Sequence, residues 1–136
     1  MNKFLVDSDV FLNSVLQTER QEVCVKFLDD QEATTCTTIL NVMEVSSVLS
    51  RKYGWKKNDI HDVVDTIERG MDVIIPSEAE TLEGYELVMS DFFSTVDSIL
   101  LSISKNQDLE LVTLDGGLLR RGSELTKVSS PKSLID

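Results

Sequence analysis

The sequence is poor in cysteine, proline, glycine, histidine and positive charge, and each shortage removes a class of explanation. Two cysteines among 136 residues are too few for a disulfide framework. Their settings, EVCVKF around Cys24 and TTCTTI around Cys36, read as structural reduced thiols rather than a metal knuckle. A single histidine, His61, excludes a nuclease mechanism built on two histidines and a His-rich zinc site. It stands beside the apolar stripe of NDIHDVVD, so it is expected to be exposed and is given no role. Two prolines and six glycines leave little room for disordered linkers, and no internal repeat is visible. No apolar run approaches the roughly 18 residues of a membrane span, and MNKFLVDSDVFL lacks a signal segment, so a cytoplasmic protein with no membrane partner is expected. Against 24 acidic residues there are 13 basic ones, a net charge of −11. Phosphate contacts supply most generic nucleic-acid affinity, so a polyanion would have to be met by a local basic patch or by bound cations.

What is present is ordinary globular material, 41% hydrophobic and 27% charged, expected to form one domain over 1–136. The stretch FLVDSDVFL is a short apolar run that stops on acid. Apolar residues at 4 to 6 suit a strand buried on both faces, and Asp7 is where such a strand must surface. A helix is expected from about Asp9, whose capping and functional readings are equally open. Further helices are expected over 20–29, 39–53, after the lead-in Lys56-Lys57-Asn58-Asp59 with Ile60, Val63, Val64 and Ile67 on one face and Gly70 as its end, 77–90 with Ser77 as cap, and 94–106; strands are expected over 34–38, 71–75, 109–114 and 125–129. This alternation favours a parallel α/β sheet. In such sheets ligands bind at the carboxyl ends of strands, and LVD at 5–7 and LVTLD at 111–115 end alike.

Four acids thus stand in unusual contexts. Asp7 and Asp115 end strands; Glu44 and Asp97 interrupt the apolar patterns of helices. Burying one alone costs several kcal/mol, and ionised neighbours repel unless something compensates. A divalent cation resolves both problems, since Mg²⁺ and Mn²⁺ prefer hard carboxylate oxygens and water.

The layout resembles the PIN domain, a family of metal-dependent ribonucleases that includes the VapC-type toxins. FLVDSDVFL matches its opening strand and Asp-Thr/Ser motif at Asp7 and Ser8, with Asp9 where Asn or Ser is usual. TTILNVMEVSSVL supplies its Glu at Glu44, VDSILLSIS its late-helix Asp at Asp97, and LVTLDGGLL its Thr-x-Asp type motif at Asp115. The position two beyond Asp115 often carries another polar group in the family; here it is Gly117. The resemblance implies a three-layer α/β sandwich whose central parallel sheet has about five strands. It also implies hydrolysis of single-stranded RNA, with Asp7, Glu44, Asp97 and Asp115 holding Mg²⁺ or Mn²⁺ and with Ser8 and Asp9 in support. An antitoxin protein and a homodimer are the partners it implies.

Two basic stretches remain. Arg51 to Lys57 holds four cations and two aromatics, and reads as a helix end with Trp55 packed on a neighbour in preference to an RNA contact. Arg120 and Arg121, closer in sequence to Asp115, are the better candidates for substrate phosphates or an inhibitor peptide. Two other functions fit parts of the pattern. Asp7-Ser8-Asp9 also suits the opening of a haloacid-dehalogenase-like phosphatase, with Asp7 as nucleophile and Asp9 as acid/base. A PIN-like scaffold that binds proteins without catalysis is the other.

Overall fold

The structure, a computed structural model, describes residues 3–31 and 34–135; the expected span of 1–136 also takes in 1, 2, 32, 33 and 136, which lie outside them. Five short strands, β1 (Phe4–Val6), β2 (Thr35–Thr38), β3 (Asp72–Ile74), β4 (Glu110–Val112) and β5 (Val128–Ser129), form one sheet. Every pairing is parallel and the order is β3-β2-β1-β4-β5. The first strand is therefore central. Phe4, Leu5 and Val6 are all buried, as a strand covered on both faces requires.

The helices divide between the two faces. With α1 (Ser8–Val15), α2 (Gln21–Gln31), α3 (Ile39–Arg51) and α4 (Lys57–Gly70), one core gathers Phe4, Val6, Phe11, Phe27, Val45 and Leu49. Across the sheet, α5 (Glu78–Asp91), α6 (Thr95–Gln107) and α7 (Gly116–Gly122) surround Leu5, Cys36, Leu100, Ile103, Leu111 and Leu118. Residues 4, 6 and 112 face one way and 5 and 111 the other, which is the period of a strand read directly in the packing. The result is the expected three-layer α/β sandwich, with helices on both sides of a parallel sheet.

Most expected elements appear within a few residues of their expected bounds. The helix expected at Asp9 begins instead at Ser8, because Asp7 is its N-cap and accepts from the Ser8 amide. Ser77 caps α5 as expected, and Glu80 reaches back to the Ser77 amide at 2.9 Å to close a capping box. Two helices were not anticipated, α7 and the short α8 (Pro131–Leu134). Glycines at 116 and 117 argue for a turn, but Asp115 caps them into a helix by accepting from Gly117 N and Leu118 N. Cys24 and Cys36 are buried free thiols, and burial pushes each up to about 11. Trp55 is half-buried and packs on the first core, and His61 is exposed.

One glycine has a packing reason. At Gly84 α5 passes so close to α6 that a Cβ would lie 2.8 Å from Ile99 Cδ1. Gly84→Val is expected to force the two helices apart and to cost about 1–3 kcal/mol in urea unfolding, as overpacked cores do. An unchanged midpoint would contradict that reading of the interface.

Candidate active site

A strand order that runs 3-2-1 one way and 1-4-5 the other puts its reversal between β1 and β4, and the crevice of such a sheet opens beyond their carboxyl ends. Asp7 follows β1 directly, and its amide donates to Val112 O at 2.9 Å, so the chain leaving β1 remains tied to the end of β4. Thr113, Leu114 and Asp115 follow β4 into the same crevice. Glu44 comes from α3, which starts on the residue after β2, and Asp97 from the first turn of α6, whose N-cap is Ser94. Asp7, Ser8, Asp9, Glu44, Asp97 and Asp115 line one cleft of about 450 Å³, together with Ser94, Thr95 and Val96.

Neutral donors fix the innermost acids. Asp7 Oδ1 accepts from the Ser8 amide at 2.7 Å and from Asn41 Nδ2 at 3.2 Å. Asp7 Oδ2 accepts from the Thr113 hydroxyl at 2.8 Å. The same hydroxyl lies 3.1 Å from Asp9 Oδ2, which also accepts from Leu114 N at 3.1 Å. Thr113 has one hydroxyl proton to divide between two carboxylates, while its oxygen accepts from Asp115 N at 3.1 Å. Ser8 Oγ donates to Glu44 Oε1. Among the described residues, Asp9 Oδ1 is the one buried side-chain oxygen or nitrogen without a hydrogen-bond partner.

No Lys or Arg is among the residues that line this cleft. Burial pushes the Asp7 carboxyl up to about 7, and the neighbouring Asp9 charge adds to the rise, against the pull of the Thr113 and Ser8 hydrogen bonds. Asp9 is pushed up to about 6 by burial, opposed by its bonds to Leu114 and Thr113, with Asp115 adding repulsion. Asp97 is raised by burial and then by the charges of Asp115 and Glu44. The five acids therefore form one repelling set around shared polar space.

The donor set consists of hard carboxylate oxygens with one buried oxygen unsatisfied, which suits Mg²⁺ or Mn²⁺ and no softer ion. Among the described residues no three His, Cys, Asp or Glu side chains are gathered into a ready-made cage.

The structure brings Asp7, Glu44, Asp97, Asp115, Ser8 and Asp9 together. Arg120 and Arg121 do not line the cleft. Arg121 is turned to the loop after α5, its guanidinium 4.3 Å from the Phe93 ring centroid and donating to Asp91 O. Trp55 borders a different groove, between α3 and α4. Two contributors were missed, Thr113 and Asn41. Thr113 sits inside LVTLD, where its place two residues before Asp115 was a signal; Asn41, one turn before Glu44 on α3, offered a weaker one.

Raised carboxyl values set the sign of a pH effect. An unfolded carboxyl releases its proton near 3.8, whereas folded Asp7 and Asp9 hold theirs to about 7 and 6. Between about pH 4 and 7 the folded state thus binds more protons than the unfolded one, and these two groups lower stability as pH rises through that window. In EDTA, the wild-type melting temperature is expected to fall relative to that of Asp7→Asn between pH 5 and pH 8, leaving the variant several degrees more stable at pH 8. Parallel curves for the two proteins would contradict this.

Residues 4–124 match the model of the PIN domain family. No curated protein matches the sequence. Among solved structures, VapC20 of Mycobacterium tuberculosis, described as a sarcin-ricin loop cleaving toxin, aligns at a TM-score of 0.76 and 16% identity over 88% of this chain and 95% of that one. FitAcB of Neisseria gonorrhoeae aligns at 0.71 and 18% over 96% and 99%. A toxin–antitoxin complex from Klebsiella pneumoniae aligns at 0.69 and 18% over 95% and 98%. At these identities the structures speak for the fold, while the family match spans most of the sequence: the chain belongs to the PIN domain family.

Proposed function

We propose that this protein is a Mg²⁺- or Mn²⁺-dependent endoribonuclease that cleaves single-stranded RNA and acts as the toxin of a toxin–antitoxin pair. The observation that carries the reading is the convergence of five mutually repelling carboxylates on one polar cleft at the reversal point of the sheet. Membership of the PIN family supports nuclease chemistry, and likeness to structures described as toxins and toxin–antitoxin complexes supports the partner.

In this reading Asp7, Asp97, Asp115 and Glu44 hold the cation. When bound, it supplies Lewis-acid chemistry, making water more acidic and offsetting the charge that builds on the phosphate. The chain's own residues do the positioning. Thr113 fixes Asp7 Oδ2 and Asp9 together, Ser8 fixes Glu44, and the Asp115 bonds to Gly117 and Leu118 anchor the outermost acid. Gly117 contributes its amide here, so the lack of a side chain two residues past Asp115 is no loss to the capping of α7. Arg121 is engaged at Asp91 and Phe93, so RNA phosphates would find no basic side chain among the residues that line the cleft.

For the homodimer that the resemblance implies, α5 offers a surface. Leu82, Tyr85 and Met89 fall on one side of α5 and Phe92 follows at its C-cap; all four are exposed, Phe92 at 83%. Such a stripe is self-complementary when two copies of α5 pack about a twofold axis. Wild type is expected to scatter light as twice 15.3 kDa and a Tyr85→Glu, Met89→Glu variant as 15.3 kDa; a monomeric wild type would contradict the dimer.

Cleavage of a labelled single-stranded RNA in Mg²⁺ or Mn²⁺, abolished by EDTA, tests the activity. Asp7→Asn is expected to lower kcat by roughly 100-fold or more, the scale at which a preorganised electrostatic group contributes. Phosphate release from monoesters that disappears in Asp7→Asn, with the RNA left intact, would favour the phosphatase reading. Absence of calorimetric heat with millimolar Mn²⁺ would favour the scaffold.

A further inference from the structure

We propose that Asn41 is a positioning residue for Asp7, its side-chain amide aimed by Thr38 so that Asp7 keeps one carboxylate oxygen turned to the cleft. This rests on the metal-dependent reading above. Asn41 is fully buried in the first turn of α3, an unfavourable place for a polar side chain unless its groups are matched. They are matched in a directional way. Thr38 Oγ1 accepts from Asn41 N at 3.2 Å, so the proton of that hydroxyl is free to be donated, and it goes to Asn41 Oδ1 at 2.6 Å. With Oδ1 committed to Thr38, Nδ2 must face the other way, where Asp7 Oδ1 lies 3.2 Å off. The flipped amide would set two oxygens against each other, so the network admits one orientation.

The consequence falls on the two oxygens of Asp7 unequally. Oδ1 receives Ser8 N and Asn41 Nδ2, and Ser8 Oγ, whose proton goes to Glu44, stands 3.3 Å from it. Oδ2 receives Thr113 alone and keeps capacity to spare. The Asn41 and Thr113 donors, reaching opposite oxygens from α3 and the end of β4, also stop the carboxylate from rotating. A cap would explain the Thr38–Asn41 backbone bond; it does not explain an amide hydrogen placed on Asp7. The role is that of a neutral donor holding a first ligand in orientation, whose loss typically costs roughly 10- to 100-fold in metal affinity or activity.

The test measures Mn²⁺ affinity by electron paramagnetic resonance, and kcat and KM for single-stranded RNA, in wild type, Asn41→Leu, Thr38→Val and Thr38→Ser. Asn41→Leu is expected to weaken Mn²⁺ binding roughly 10-fold or more and to lower kcat with KM for RNA nearly unchanged. Thr38→Val, which leaves the amide unaimed, should weaken Mn²⁺ binding in the same direction, and Thr38→Ser, which keeps the hydroxyl, should restore it. If Asn41→Leu does not fold, the Thr38 pair decides. Overturning results are an Asn41→Leu protein that melts early yet binds Mn²⁺ within twofold of wild type, or Thr38→Val and Thr38→Ser proteins of equal affinity. A wild type that neither binds Mn²⁺ nor cuts RNA removes the nuclease reading itself and the positioning role with it, a result distinct from either.

Discussion

Repulsion among carboxylates at the end of the central strand is the constraint to which the other features of this protein answer. Asp7 is 6% exposed and close to a second, partly buried aspartate, and no Arg or Lys is among the residues that line their cleft. Left alone, such groups take up protons or loosen the fold. Here they are retained by donors that carry no charge: amides of Ser8 and Leu114, the hydroxyl of Thr113 and the side chain of Asn41. Neutral donors hold the acids in place without cancelling their field, which leaves that field available to a cation.

The fold is what makes this economical. A parallel sheet whose order reverses between β1 and β4 delivers two chain segments, more than a hundred residues apart, to one crevice. The two cores pin that crevice from both sides, because successive residues of β1 and β4 go to opposite faces. Helices α1, α3, α6 and α7 then begin at its rim, so their first turns can place Asp9, Asn41, Asp97 and the Asp115 cap. Acids near a helix N-terminus are favoured by its dipole, which offsets part of their mutual repulsion.

Strands and long helices were legible because their apolar periods are set by burial, which is complete in β1 and unbroken from Ser98 to Ser104 in α6. The acids were legible for the opposite reason, as breaks in those periods. Short elements escaped. In α7 a glycine pair reads as a turn, and the capping that turns it helical depends on where the Asp115 side chain points. The identity of the α1 cap slipped by two residues because Asp7 and Asp9 are both competent caps, and only the tertiary pull of Thr113 and Leu114 on Asp9 separates them. Asn41 left only a weak signal for a related reason: its partner is 34 residues away in sequence. Arg121 looked free in the sequence and is engaged at Phe93 and Asp91, contacts that arise only once α5, α6 and α7 share a face.

The central claim is that the unanswered charge of the cleft is a cation site. The most direct measurement is diffraction from crystals grown in Mn²⁺ and collected for the anomalous signal of manganese. A peak within coordination distance of Asp7 and at least one of Asp97, Asp115 and Glu44, absent from crystals of Asp7→Asn, is the expected result. Density confined to surface carboxylates such as those of α4 or α5, with the cleft empty at millimolar Mn²⁺, would contradict it.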